Sequence, residues 1–176
     1  MKFHLEMCLL RPWREEDAGS LARYANNRKI WLNLRDAFPH PYSVSDAKRF
    51  IRMTEEKSGV TIFAIEVNGE AVGSIGYHQN SDVERVSAEI GYWLGEPFWN
   101  RGITTEAVKA VTKHAIDQHQ LTRVYAVPFE WNTASFFRVL EKAGYRLEGR
   151  MHRSAMKDGK IIDQLLYAYV TEKGET

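Results

Sequence analysis

Two dipeptides constrain the fold of this chain more than any other feature of its sequence. They are Asn68-Gly69 and Asp158-Gly159, and each lies between two strand-like runs. The runs are residues 61–67 and 71–77 around the first dipeptide and residues 145–156 and 161–170 around the second. Because Asn-Gly and Asp-Gly both tolerate the positive φ angles of two-residue hairpin turns, each dipeptide predicts a β-hairpin. The sheet is therefore expected to be largely antiparallel.

The rest of the chain divides between further strands and amphipathic helices. Strand-like apolar runs are residues 7–10, 85–94 and 124–127. Apolar residues recur at helical spacing in residues 14–25, 43–54, 103–116 and 132–143. The order β-α-α-β-β-β-α-β-α-β-β predicts an α/β (α+β) fold, with about four helices flanking a mixed, largely antiparallel sheet of six to seven strands. Since no linker or low-complexity stretch interrupts it, the chain is predicted to be one domain over residues 1–176, with its core in about residues 7–171.

Composition excludes several classes of function. The chain of 176 residues carries 24 Lys and Arg against 23 Asp and Glu, whereas a nucleic-acid binder normally carries an obvious basic excess. Its one cysteine, Cys8, allows no intramolecular disulfide, and its six histidines contain no H-E-x-x-H pair, so no metal is expected. No apolar run reaches the length of a membrane span, and the charged N-terminus is unlike a signal peptide. A cytoplasmic protein without a membrane partner is predicted.

The near-neutral total hides a local basic excess. Residues 146–160 contain five Lys or Arg against two acidic residues. Such a segment would attract an acidic peptide or a phosphate, but a solvated hairpin explains it equally well.

The segment that carries chemistry is residues 89–108. A strand runs into a loop containing Gly95, Pro97 and Gly102, and the loop opens directly into an amphipathic helix. The first amide groups of a helix have no carbonyl partner within it and lie at the positive end of its dipole, so the segment 101–105 is a candidate anion site. A plain strand-to-helix turn is the alternative, and no Walker motif is present.

A second helix start carries polar side chains. Asn132 and Ser135 lie at the beginning of the helix that follows the strand 124–127. The simple explanation is that Asn132 is an N-cap and Ser135 a tolerated polar residue of the first turn. The alternative is that both contact a ligand whose phosphates lie on the preceding helix.

Four fragments together resemble the GNAT superfamily of N-acetyltransferases, and more closely its ribosomal-protein N-terminal acetyltransferase branch. They are LLRPW at 9–13, EIGYWL at 89–94, FWNRGITTEA at 98–107 and NTASFFRVLEKAGY at 132–145. The pyrophosphate signature of the family, Gln/Arg-x-x-Gly-x-Gly/Ala, falls here on residues 99–104. Gly102 is retained, whereas Trp99 and Thr104 depart from the signature.

The resemblance implies a site and a cosubstrate, acetyl-CoA. The implied cofactor-binding residues are Trp93, Leu94, Asn100, Arg101, Gly102, Ile103, Thr104, Thr105, Asn132 and Ser135. In that assignment a backbone N–H near Trp93 or Leu94 stabilises the oxyanion, Asn132 binds the pantetheine arm, and Ser135 assists the leaving thiolate.

The base and the acceptor pocket are open. Glu89 shares one strand face with Gly91 and Trp93 and is the candidate general base, unless it is an ordinary surface residue. Trp31, Phe38 and Tyr42 either line the acceptor pocket or form a satellite core.

The resulting hypothesis is direct acetyl transfer from acetyl-CoA to a primary amine in a ternary complex, with a protein N-terminal α-amine as leading acceptor. A small amine (polyamine, amino acid or amino sugar) is the alternative acceptor, and a non-catalytic acyl-CoA-binding module is the alternative class. Either a monomer or a homodimer is compatible with the sequence.

Overall fold

The computed structural model describes residues 1–56, 61–132 and 134–171, and for residues 56 and 134–136 the backbone only. The strands are β1 (Phe3–His4), β2 (Leu9–Arg11), β3 (Ile62–Val67), β4 (Glu70–Gln79), β5 (Ser87–Leu94), β6 (Arg123–Ala126), β7 (Arg146–Lys157) and β8 (Lys160–Val170). The helices are α1 (Ala18–Ala25), α2 (Arg28–Trp31), α3 (Val44–Glu56), α4 (Ile103–His119) and α5 (Ala134–Lys142).

The strands form a sheet in the order β1-β2-β3-β4-β5-β6-β8-β7. Strands β5 and β6 pair in parallel, while the pairs β1–β2, β2–β3, β3–β4, β6–β8 and β7–β8 are antiparallel. The predicted mixed, largely antiparallel class and its element order are confirmed.

Two short elements add to the predicted order. Strand β1 makes the described sheet eight-stranded rather than six- to seven-stranded, and α2 is a fifth helix. Phe3 of β1 pairs with Leu10 and contacts the ring of Phe63 at 5.4 Å. A two-residue strand stabilised by such distant contacts leaves no periodicity to detect. Helix α2 has four residues and is capped at its N-terminus by Asn27, whose side chain accepts a hydrogen bond from the Lys29 amide.

Both predicted hairpins are present with the expected turn geometry. Asn68 and Gly69 have φ angles of 52° and 83°. At the second turn the φ angles are 51° for Asp158 and 73° for Gly159. Positive φ at both central positions gives a turn whose twist matches that of paired strands, which explains why these dipeptides predicted the hairpins correctly.

The chain divides into two compact units. The first comprises Met1–Gly76 and Tyr92–Ala107, and the second comprises Tyr77–Gly91 and the described part of Val108–Thr176. The single domain expected from the sequence stays a prediction.

The first unit has an apolar core and a buried arginine that is paired with two carboxylates. The core residues are Trp13, Ala18, Leu21, Ala22, Ala25, Tyr42, Ala47, Ile51, Ala64 and Ala71. Arg11, 1% exposed, donates to both Asp17 oxygens at 2.7 and 2.8 Å, and it also pairs with Glu66. Burial without these carboxylates would leave the guanidinium unpaired at a high cost, so the pairs are what allow β2 to carry a charge into the core.

The second unit contains the β5–β6 parallel pair and the long hairpin β7–β8. The parallel register runs from Ser87–Arg123 to Glu89–Tyr125. Helix α4 contributes Thr112, whose hydroxyl hydrogen-bonds the buried Tyr145 hydroxyl at 2.6 Å.

Among the helices that the structure describes, none is long and apolar enough to cross a membrane.

Candidate active site

The end of β5 carries the first group of predicted site residues. From Ala88 onward the buried residues of the strand are Ala88, Ile90, Tyr92 and Leu94, and the other face holds the less buried Glu89, Gly91 and Trp93 after the buried Ser87. This alternation agrees with the predicted faces. Glu89 is half-buried and pairs in register with Tyr125 of β6.

Glycines allow an unusually close approach at the end of β5. A Cβ at Gly73 of β4 would lie 2.5 Å from the Trp93 carbonyl oxygen. Directly after the strand, the Gly95 amide donates to the Val72 carbonyl at 2.8 Å, and a Cβ at Gly95 would lie 2.9 Å from the Tyr24 ring. Because real Cβ atoms do not approach carbonyl oxygens at such distances, Gly73 lets the backbone of β5 pass where any other residue would displace it.

Trp99 fixes the other side of this strand end. Its indole N–H donates to the Leu94 carbonyl at 2.6 Å, and the side chain is 37% exposed. In the sequence, Trp99 is recognisable only as a departure from the pyrophosphate signature. The structure shows that it closes the loop 95–98 onto the last residue of the strand, a contact that no local pattern indicates.

The same loop is attached to the first helices of the chain. Glu96 pairs with Lys29 and accepts a hydrogen bond from the side-chain Nδ2 of Asn27 at 2.7 Å, and these two donors lower the pKa of its carboxyl group. The rings of Tyr24 and Phe98 meet edge to face at 5.5 Å. The connection between α1 and α2 thereby contacts the loop that precedes α4.

The N-terminus of α4 is where the sequence predicts an anion site, and that site stays a prediction. Gly102 has a φ of +82°, and among the described atoms nothing lies within 4 Å of a Cβ built there. The Glu106 amide donates to the Gly102 carbonyl at 3.2 Å, so Gly102 caps the helix. The amides of residues 103–105 therefore have no carbonyl one turn earlier in the helix and are available to a ligand.

The side chains around this terminus differ in their roles. Asn100 has a φ of +61°, and the Arg101 guanidinium lies 5.5 Å from the centroid of the Phe98 ring. Ile103 is buried, whereas Thr104 and Thr105 are half-buried. The predicted cofactor residues 100–105 thus include exposed polar groups and one core residue, Ile103, that can contribute only through its backbone.

Asn132 is buried with an unused donor. Its side chain is 6% exposed, and within the described part of the chain its Nδ2 has no hydrogen-bond partner. Its backbone amide donates to the Phe129 carbonyl at 3.0 Å. Leaving a buried amide N–H unpaired costs about 1–3 kcal/mol, so a ligand carbonyl at this position would be stabilised. Of the other residues predicted here, the Ser135 side chain lies outside the described residues.

The predicted acceptor residues are only partly brought together. Phe38 contacts Tyr42 at 4.8 Å and Trp93 at 5.8 Å between ring centroids. Trp31 instead stacks on His40 at 5.7 Å. Tyr42 belongs to the core, and burial raises its pKa to about 12. Phe38 and Trp93 are partly buried against that core.

Within residues 1–56, 61–132 and 134–171, no group of three or more His, Cys, Asp or Glu side chains is arranged to hold a metal ion.

The mixed sheet, with a loop containing Gly95 and Gly102 that leads from β5 into α4, is the arrangement that the sequence predicted for an acetyl-CoA-dependent N-acyltransferase. A family model described as acetyltransferase (GNAT) domain matches residues 8–146. The chain belongs to the GNAT family of acetyltransferases, and the predicted family, enzyme class and cosubstrate are confirmed.

Several relatives match over most of their length. The uncharacterized N-acetyltransferase YoaA of Bacillus subtilis is 28% identical over 92% of each chain. The ribosomal-protein-serine acetyltransferase of Escherichia coli K12 is 24% identical over 82% of each chain. Among solved structures, Mycobacterium smegmatis RimJ in complex with CoA-disulfide is 26% identical with a TM-score of 0.82, covering 94% of this chain and 83% of that one.

Proposed function

We propose that this enzyme transfers the acetyl group of acetyl-CoA to the α-amine of a protein N-terminus, by direct attack in a ternary complex. The observation that carries the choice of acceptor is the similarity, over 82% of this chain, to the Escherichia coli acetyltransferase whose described acceptor is a ribosomal-protein serine. The aromatic contact of Phe38 with Trp93 supports an acceptor site beside the end of β5.

The residues present suit the cosubstrate. The open glycine cap of α4 suits a pyrophosphate, and the unpartnered Nδ2 of buried Asn132 suits a carbonyl of the pantetheine arm. Acetyl-CoA, when bound, supplies an activated thioester, so no protein nucleophile is required.

The protein contributes polar groups at three points of the reaction. A backbone N–H near Trp93 or Leu94 stabilises the developing oxyanion. The Ser135 hydroxyl stabilises the leaving thiolate by donating a hydrogen bond to its sulfur, and Glu89 accepts a proton from the attacking ammonium through water. If Ser135→Ala retains full turnover, or if Glu89→Gln leaves the pH–rate profile unchanged, the corresponding assignment is wrong.

A thiol-release screen tests the acceptor. Acetyl-CoA is incubated with peptides whose N-termini are free or blocked and with polyamines, amino acids and amino sugars, and the product is identified by mass spectrometry. We expect thiol release only with free N-terminal peptides, with the added acetyl group on the α-amine. Release with small amines alone would replace the proposed acceptor, and acetyl-CoA binding without amine-dependent release would make the protein a binding module.

A further inference from the structure

A carboxylate network holds the segment that leads to Asn132. Three hydrogen bonds join residues 128–130 to β8. The Glu130 amide donates to the Asp163 carbonyl at 3.0 Å, the Asp163 amide donates to the Glu130 carboxylate at 3.0 Å, and the Leu165 amide donates to the Pro128 carbonyl at 2.9 Å. The backbone of residue 130 and its own side chain therefore engage the same residue of β8.

Arg150 of β7 pairs with both acidic residues of this network. Its guanidinium pairs with Glu130 and, through Nε, with Asp163 at 2.5 Å. Asp163 also accepts hydrogen bonds from the Arg153 amide at 2.7 Å and from His152 at 2.9 Å. Through these contacts one guanidinium and two carboxylates join β7 and β8 to the segment 128–130.

Asn132 depends on this segment for its position. Its amide donates to the Phe129 carbonyl, one residue before Glu130, and its side-chain Nδ2 is buried without a partner in the described chain. An unpartnered donor lowers the free energy of binding only if it already points at the ligand, since a freely moving side chain would lose conformational entropy on binding. The backbone that carries it must therefore be held by other contacts.

We propose that Glu130 is a positioning residue for acetyl-CoA binding, acting through Asn132. The inference rests on the proposed role of Asn132 toward the pantetheine arm. The essential contact is the bond from the Asp163 amide to the Glu130 carboxylate, which also pairs with Arg150. Because Asn132 contributes binding that is equal in the ground and transition states, loss of Glu130 raises KM for acetyl-CoA and leaves kcat nearly unchanged.

A double-mutant cycle tests the inference. The affinity for acetyl-CoA without an acceptor amine is measured by titration calorimetry, at a temperature where circular dichroism shows every variant folded. We expect Asn132→Ala to raise Kd about three- to tenfold, the effect of losing one hydrogen bond. Glu130→Ala should raise Kd about threefold or more alone and add almost nothing in the Asn132→Ala background.

Two further variants keep the test sharp. Glu130→Gln retains an acceptor for the Asp163 amide and should stay within about twofold of the wild-type Kd. The matched control is Glu148→Ala, which breaks the bidentate pair with Arg123 at 2.7 and 2.5 Å on the same hairpin and should leave Kd unchanged.

The outcomes separate the inference from the function on which it rests. Additive effects of Glu130→Ala and Asn132→Ala would overturn the positioning role while leaving the Asn132 contact intact. A Glu130→Gln loss as large as that of Glu130→Ala would overturn it too, as would a fall in kcat at unchanged KM. If Asn132→Ala binds acetyl-CoA as wild type does, the pantetheine assignment and the inference both fail.

Discussion

Replacing Gly73 with alanine should disturb catalysis through the strand beside it. The new methyl group would lie 2.5 Å from the Trp93 carbonyl oxygen, 3.0 Å from Leu94 Cδ1 and 3.1 Å from Leu94 Cα. Ordinary contacts of this kind are about 3.5–4 Å, so the end of β5 must move by several tenths of an ångström to about 1 Å. Overpacking of this kind costs about 1–3 kcal/mol of unfolding free energy. In a chain of this size that corresponds to a fall in Tm of about 2–12 °C.

The fall in kcat of Gly73→Ala should be larger than the loss of folded protein alone would cause. If the amide near Trp93 or Leu94 stabilises the oxyanion, a displacement approaching 1 Å costs about a hundredfold in kcat, and a smaller displacement costs less. We therefore expect kcat of Gly73→Ala to fall about ten- to hundredfold.

Gly76→Ala is the matched control. It adds the same methyl group to the same strand, 2.7 Å from the Thr61 carbonyl oxygen and 3.1 Å from Ile62 Cα. Those atoms lie on the β3 side of β4, away from Trp93. Its stability should fall by a similar amount, while kcat stays within about threefold of wild type.

Stopped-time thiol release at saturating acetyl-CoA, corrected for the folded fraction, compares the two variants. Equal loss of kcat in Gly73→Ala and Gly76→Ala would refute the proposed role of this strand end, because stability alone would then explain both. A folded Gly73→Ala with wild-type kcat would refute it as well.

Three further predictions concern groups near the site and the hairpin. Trp99→Phe, which removes the donor to Leu94 and keeps an aromatic ring, should lower the free energy of unfolding by about 1 kcal/mol and weaken acetyl-CoA binding; unchanged Tm and affinity would contradict this. Burial, and to a smaller extent the charge of Glu106, raises the pKa of Cys8 to about 12. The Cys8 thiol should therefore react slowly with an aromatic disulfide at pH 8 and rapidly in urea, and equal rates would show that it is accessible in the folded protein. The pKa of Asp163 is lowered to about 2, so the stability that its charged form contributes is present above about pH 4 and is lost as the pH falls toward 2. Over this range the urea midpoint of Asp163→Asn should fall less than that of the wild type. Parallel plots of urea midpoint against pH for the two proteins would contradict this prediction.

The sequence predicts those parts of the fold and site that depend on local pattern. Asn68-Gly69 specifies its hairpin because the turn geometry is a property of two residues, and Gly102 is recognisable because it stands between a strand and a helical repeat. The contact of Trp99 with Leu94 has no such signature. This contact depends on the path of the loop 95–98 between Leu94 and Trp99, which side-chain periodicity does not describe.

The acceptor pocket shows the same limit from the other direction. Trp31 and Phe38 are both aromatic residues of one segment, and composition gives no reason to separate them. The structure places Phe38 against Trp93 and Trp31 against His40. Which aromatic residue turns toward β5 depends on α2, a helix too short to leave a hydrophobic repeat.

Charge is where sequence counting and structure differ most. The basic excess in residues 146–160 suggested an anion-binding patch. However, Arg150 pairs with the carboxylates of Glu130 and Asp163, and both of these residues lie outside that segment of the sequence. Lys157 of the same segment is 1% exposed. A binding patch requires charges that face solvent without a partner, and these two cations do not meet that requirement. Arg150 contributes to the geometry of the segment before Asn132. Charge reversal at Arg150 should therefore change the affinity for acetyl-CoA through that segment rather than through long-range attraction. The change in affinity should persist at high salt.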